Sequence, residues 1–221
     1  MISFFAPYKK FFIFFLLLSI VIIYSIYTLL VPPKSLPIYT PNQIDTTLVD
    51  STQQDIRKYH RIPDFSLTNH LGEIVTQKNY HNTVYVTDFF FTTCQTICPK
   101  MTQNMGLLQE KLKGKPVKLL SHTVMPEVDT IPVLKKYAKK HHVNPKVWNL
   151  VTGSKKEIYD LARKAYLVAK VKPYSKYDLI HTENFVLIDQ KKRIRGFYDG
   201  TDLKALDQLL EDIDFLLEKN N

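Results

Sequence analysis

Two cysteines, Cys94 and Cys98, stand four positions apart and are followed at once by Pro99. If the segment is helical, side chains at i and i+4 share a face and their Cα atoms lie about 6 Å apart. That separation suits a disulfide, and it equally lets two thiolates hold one metal ion. The dipole of a helix N-terminus would lower a thiol's pKa and favour both reactions. Two inert buried cysteines are the bland alternative. Of seven histidines, two compete as a further ligand: His122 ends one apolar run in Ser121-His122-Thr123, and His181 with Thr182 precedes another. His60, His70 and His81 fall in predicted linker, turn and loop positions, while His141 and His142 follow a lysine-rich helix and are expected to face solvent. Met101 and Met125 could add a weak thioether contact, but core packing is their expected role.

The elements that position these residues alternate in type. Pro63 to Thr76 alternates apolar and polar residues around Asn69-His70-Leu71-Gly72, which predicts a hairpin. Thr83 to Phe91, TVYVTDFFF, is rich in β-branched and aromatic residues and predicts a central strand buried on both faces. A helix then runs through about Lys113, a strand covers Val117 to Val124, and a helix resumes at Ile131 behind Asp129 or Thr130 as N-cap. Val147 to Val151 predicts a short strand, and Ser154 with Glu157 forms the capping box of a helix reaching about Ala165. Strands at Asn184 to Asp189 and Ile194 to Tyr198 follow. The last helix starts near Thr201, with Leu203, Leu206, Leu210, Ile213 and Leu217 on one face. This order implies an α/β sandwich, a mixed sheet with helices on both sides. In such a sheet the site lies beyond the carboxyl ends of the strands, where the cysteines fall.

The N-terminal third belongs to a different environment. Phe11 to Val31 carries no charged residue and ends at Pro32-Pro33. At about 1.5 Å per residue it spans roughly 30 Å, one hydrocarbon core. No small-residue cleavage site follows, and no cysteine that could take a lipid, so a single transmembrane anchor is expected. Lys9 and Lys10 outweigh Lys34, which places the N-terminus in the cytoplasm and the rest outside. The expected organisation is a cytoplasmic end over residues 1–10, an anchor over 11–31, a linker over 32–61 and one domain over 62–221. The chain's net charge of +9 includes only Lys9 and Lys10 from the first 31 residues, so the exported part carries about +7. An exported domain meets no chromosome, so nucleic acid is not an expected partner. Short lysine runs such as 135–136 and 139–140 read as solvated helix faces or as a docking surface for acidic protein or headgroups. Two cysteines are too few for a disulfide scaffold, a four-cysteine zinc site or a cysteine-only iron–sulfur cluster.

The segment Phe91-Thr-Thr-Cys94-Gln-Thr-Ile-Cys98-Pro99, with Met125-Pro-Glu-Val-Asp129-Thr-Ile-Pro132 and the isolated His181-Thr182, resembles the Sco/SenC family of membrane-anchored copper proteins that assist cytochrome c oxidase assembly. The resemblance extends from about Pro63 to the C-terminus. It implies a thioredoxin-like fold with an added hairpin, and copper held by Cys94, Cys98 and His181. Thr182 then falls where thioredoxins place a cis-proline beside their cysteines. Many family members have aspartate where this chain has Met125, so a role for that carboxylate does not carry over; among the nearby acids only Asp129 sits on a matching position. The chemistry agrees with copper, because thiolates suit Cu(I) while imidazole helps to bind Cu(II). Three protein ligands leave a position open for hand-over, whereas a structural zinc site is closed by four.

Four functions compete on these residues. The leading one is a metallochaperone, not a turnover enzyme, in the inner membrane with its functional domain outside. Its partner would be the copper-acceptor domain of cytochrome c oxidase or another copper chaperone. The second is a thiol–disulfide oxidoreductase that reduces an acceptor's cysteines or acts in redox signalling, with Cys94 and Cys98 as its redox pair. Ordinary thioredoxin chemistry uses Cys-x-x-Cys, and Trp148 is far from the pair in sequence. A thiol peroxidase expects Pro-x-x-x-Thr-x-x-Cys, but positions 87 and 91 hold Thr87 and Phe91. A purely structural module leaves the convergence of Cys94, Cys98 and His181 unexplained.

Overall fold

The computed structural model describes residues 8–30, 35–44, 60–169, 180 and 182–219. The chain divides at Ser35 into two units, and each is taken by itself. The first contains α1 (Lys9–Leu30), 22 residues with no buried side chain. Its length of about 33 Å is enough to cross a bilayer. A helix apolar on every side has no polar face to offer water.

In the second unit seven strands form one sheet: β1 (Ser66–Asn69), β2 (Ile74–Thr76), β3 (Val84–Phe90), β4 (Val117–Thr123), β5 (Trp148–Thr152), β6 (Asn184–Ile188) and β7 (Ile194–Asp199). Their spatial order is β2-β1-β5-β4-β3-β6-β7. β3, β4 and β5 are parallel, and the other pairings are antiparallel. The two parallel steps are crossed by α2 (Cys98–Lys111) and α3 (Ile131–Lys140), while α4 (Lys155–Asp160) and α5 (Leu203–Glu218) complete the layers. The mixed sheet with helices on both sides is the architecture the alternation predicts. In the β1–β2 turn the Asn69 side-chain oxygen accepts the N–H groups of Leu71 and Glu73, and Gly72 takes φ +85°, which a side chain would disfavour.

β3 is buried at every position, and it separates two cores. Val84, Val86 and Phe90 meet Met101, Met105 and Leu108 of α2, Leu134 of α3 and Leu206, Leu209 and Ile213 of α5. On the other side Tyr85 and Phe89 meet Ile158, Leu161 and Tyr166, together with Ile62 and Phe65 from the start of the domain. The α5 stripe differs from expectation. Leu206, Leu209, Ile213 and Leu216 are its buried centre, Leu210 and Leu217 are flanks, and Leu203 is exposed because it stands directly after the N-cap Asp202.

Three further local features depart from the sequence reading. The helix after β5 changes to π geometry over Leu161–Ala165. Its capping box is half made: Ser154 accepts the Glu157 N–H, but the Glu157 carboxylate accepts the Ser66 N–H from β1. Within the stretch expected as linker, residues 36–39 lie along β7. There the Tyr39 N–H donates to the Ile194 carbonyl, and Arg195 donates to the Leu36 and Pro37 carbonyls.

Candidate metal centre

Cys94 lies in the loop after β3, and Cys98 is the first residue of α2. The cysteines thus stand between the strand and its following helix, as the sequence implies, and the condition under which positions i and i+4 share a helical face is not met. Pro99 supplies the reason, since proline lacks an N–H and fits only the first turn. The helix cannot begin four residues earlier without placing Pro99 in its interior. The loop folds back, with the Cys94 N–H donating to the Phe91 carbonyl, and brings the two thiols within hydrogen-bond reach of each other. Both are free: Cys94 is half-buried and Cys98 is buried.

Their environments drive the two thiols apart. Burial alone would raise Cys94, but hydrogen bonds from the side chains of Thr96 and Cys98 and from the backbone N–H groups of Cys98 and Thr96 outweigh it and bring its pKa to about 7. For Cys98, burial, the proton it shares with Cys94, and the nearby charges of Cys94 and Asp88 push the pKa up to about 12. Near neutral pH the pair is a thiolate at the surface and a thiol beneath it. Such an arrangement can bind a soft metal at the cost of one further proton, or attack and resolve a disulfide.

Asp88, which the sequence reading passed over, lies under this pair. It sits in the middle of β3, 2% exposed, opposite Ser121 in β4. Trp148 Nε1–H donates to the Ser121 hydroxyl at 2.9 Å, and Ser121 bonds the Asp88 carboxyl. The other carboxyl oxygen, Oδ1, is buried without a hydrogen-bond partner. Burial raises Asp88 to about 7, with the Ser121 hydrogen bond opposing.

The loop is held by a second acid. Asp129 is fully buried and accepts the Thr92 N–H at 3.1 Å, the Thr92 hydroxyl at 2.5 Å, and the Thr123 hydroxyl. It thus staples the residue two before Cys94 to the end of β4. The N-cap position of α3 falls to Thr130, without a side-chain bond. Asp129→Ala leaves three donors without their acceptor, one on buried Thr123 and two on half-buried Thr92, and should cost about 3 kcal/mol of stability. Urea unfolding followed by the fluorescence of the single tryptophan, Trp148, measures it; a loss below about 1 kcal/mol would remove the staple's importance.

The histidines sort by face. His122 stacks on Phe89 with centroids 4.8 Å apart, on the side of the sheet opposite the core that contains Cys98. Thr87 donates its hydroxyl proton to the Leu120 carbonyl, so His122 Nδ1–H donates to Thr87, leaving Nε2 buried and unpartnered. Burial pulls its pKa down to about 3. His122 is a neutral core residue and does not join the cysteines. His60 and His70, placed by the sequence reading in linker and turn, are buried: His60 Nε2 donates to the Ala165 carbonyl, and His70 Nδ1 accepts the Leu150 N–H. Met101 is core and Met125 is half-buried, packed against the opposite core. A cavity of about 510 Å³ between residues 60–65 and α4 contains neither cysteine. His181 lies outside the described residues, and among those described no three His, Cys, Asp or Glu side chains converge as metal ligands.

The SCO1/SenC family model matches residues 53–218. The chain is 32% identical over 157 residues to the SCO1 protein homolog of Bacillus subtilis (strain 168), spanning 70% of this chain and 81% of that protein. It is similar to the structure of BsSco, a member of the Sco family of cytochrome c oxidase assembly proteins in which a disulfide switch was identified. That match has a TM-score of 0.63 and 31% identity, and covers 72% of this chain and 94% of that one. It is similar also to copper-bound yeast Sco1, with TM-score 0.56 and 26% identity over 71% of this chain and 90% of that one. With these neighbours the sandwich is thioredoxin-like, extended by the β1–β2 hairpin.

Proposed function

The chain belongs to the SCO1/SenC family, and from that premise we propose that it is a membrane-anchored metallochaperone serving the copper site of cytochrome c oxidase. The observation that carries the reading is the unequal, unbridged thiol pair at the carboxyl end of β3. Cys94 offers a thiolate near neutral pH and meets the incoming ion first. Cys98 then gives up its proton and closes the second bond, and His181 supplies the third ligand. Copper is the cargo, so an open fourth position gives an acceptor's ligand a place to enter. α1 holds the domain at the inner membrane with its N-terminus in the cytoplasm and the thiols outside. A second reading, reduction of an acceptor's disulfide, is favoured by the same inequality of the thiols, because the exposed member attacks and the buried one resolves.

One experiment addresses both readings. The copper-loaded full chain, in sealed spheroplasts or solubilised in detergent, is given the apo copper domain of the oxidase. Copper lost by the chain should equal copper gained by the domain in both preparations, and His181→Ala should impair transfer while leaving the pair able to form and break a disulfide. Transfer from detergent alone would reverse the orientation, and transfer from neither would end the delivery reading. Copper-free chain that restores the acceptor's thiols equally well, with His181→Ala as active, would make reduction the function.

A further inference from the structure

The exported part carries its excess positive charge unevenly. Between Asp129 and Glu157 there is no acidic residue, while lysine occupies positions 135, 136, 139, 140, 146, 155 and 156. Both bracketing acids are engaged elsewhere, Asp129 with Thr92 and Thr123 and Glu157 with the Ser66 N–H. Lys135, Lys136, Lys139 and Lys140 are exposed on α3, and none forms an ion pair with another described residue. Elsewhere lysines do find acids: Lys115 pairs with Asp214, Lys156 and Lys164 with Asp160, and Lys192 with Asp64.

This helix adjoins the thiols. Tyr137 packs on Phe90 and shares a hydrogen bond with Thr102, one turn along α2 from Cys98. The charges of Cys98 and Cys94 both bear on its phenol. The loop leading into α3 is stapled to the cysteine loop through Asp129. With Leu134 and Ala138 turned inward, helical spacing places the four lysines over the outer half of α3, Lys140 on the flank that Tyr137 turns toward the thiols. Val128 and Val133, at the start of this element, are exposed apolar side chains. An apolar centre with a charged rim is the composition of a protein interface.

We infer that the lysine face of α3 is the docking surface for the protein that meets Cys94, and that this partner is acidic around its own metal or thiol site. The identity of the partner rests on the function proposed above; the surface itself does not. A lipid surface is the less fitting occupant, because α3 flat against headgroups would cover the opening through which a partner reaches Cys94. Lysines so placed raise the encounter rate and fix orientation, and they leave the thiols' own affinity for metal unchanged.

The test measures association by stopped flow between the full chain in nanodiscs of neutral lipid and the apo copper domain of the oxidase. The wild-type rate should fall steeply as salt rises from about 20 to about 200 mM. The triple variant Lys136→Glu, Lys139→Glu, Lys140→Glu should associate about tenfold or more slowly at low salt and lose that dependence. A control with the same change of net charge elsewhere, Lys78→Glu, Lys191→Glu, Lys204→Glu, should stay within about twofold of wild type. Equal slowing in both triple variants would reduce the effect to net charge, and a salt-independent wild-type rate would remove it; either overturns the inference. A lysine effect seen only when the nanodiscs contain phosphatidylglycerol would assign the face to lipid and overturn it as well. Lysine-dependent association without any movement of copper would uphold the docking surface and defeat the copper-delivery function instead.

Discussion

Cys94→Ser and Cys98→Ser should each lower Cu(I) affinity by more than about a hundredfold and abolish sulfur-to-copper charge-transfer absorption with Cu(II), since loss of outer-shell partners alone costs up to that much. The two variants should nevertheless differ. Cys94→Ser leaves a single thiol that burial holds in its protonated form at neutral pH, so nothing remains to catch the ion. Cys98→Ser keeps a half-buried thiol, and a serine hydroxyl at 98 can still donate to it, so a weak one-thiolate Cu(I) complex should persist. Iodoacetamide at pH 7 reads the difference without copper. The thiol of the Cys98→Ser chain should alkylate about a thousandfold faster, or more, than that of the Cys94→Ser chain. Equal alkylation rates would mean that the thiols are not held apart as described. His181→Ala should weaken Cu(II) more than Cu(I), because two thiolates still satisfy the softer ion. If His122→Ala produced that effect instead, the ligand assignment would fail, and the position of His122 on the opposite core predicts that it does not.

What could be read in the sequence and what could not follows from the range of the interactions. The run TVYVTDFFF declares a strand buried on both faces because its side chains permit little else, and β3 is that strand. The cysteine pair stands out by spacing, and Pro99 decides between the helical and non-helical geometries that the spacing leaves open: a proline one residue after Cys98 marks the first turn, so Cys94 falls in the loop. The burial of His60 and His70 depends on the Ala165 carbonyl and the Leu150 N–H, more than seventy residues away in each case, which no local pattern encodes. The Glu157 side chain is drawn from its capping box by the N–H of Ser66 at the start of β1, which likewise arrives from a distant part of the chain. Asp88 is different. A carboxylate inside a run that must be buried on both faces is visible in the sequence and costly in the fold, and that conflict was the pointer to a residue beneath the site.

The consequence of that burial is a pH dependence with a defined sign. The carboxyl of Asp88 has an ordinary pKa of 3.8 and is raised to about 7 in the folded chain. Below the lower value it is protonated whether or not the chain is folded, and contributes nothing to the pH dependence. As pH rises from about 4 to about 7 the unfolded chain ionises freely while the folded one keeps its proton, so stability falls across this window and levels off above it. The full loss is at most about 4 kcal/mol. Asp88→Asn removes the ionisation but keeps the shape. Its packing cost, with an amide nitrogen buried where Oδ1 lacks a partner, does not vary with pH and cancels when the two chains are compared across pH. Relative to wild type, Asp88→Asn should therefore gain roughly 3–4 kcal/mol between pH 4 and pH 8, read by urea unfolding. Trp148, joined to Asp88 through Ser121, gives a second reading: its fluorescence in the folded wild type should titrate near pH 7 and should lose that step in Asp88→Asn. Since the ionised carboxylate also opposes the Cys98 thiolate, the same substitution should make Cys98 more acidic at pH 8. A gain below about 1 kcal/mol between pH 4 and pH 8 would show that the carboxylate finds solvation in the folded chain, and the cost assigned to burying Asp88 beneath the thiols would not exist.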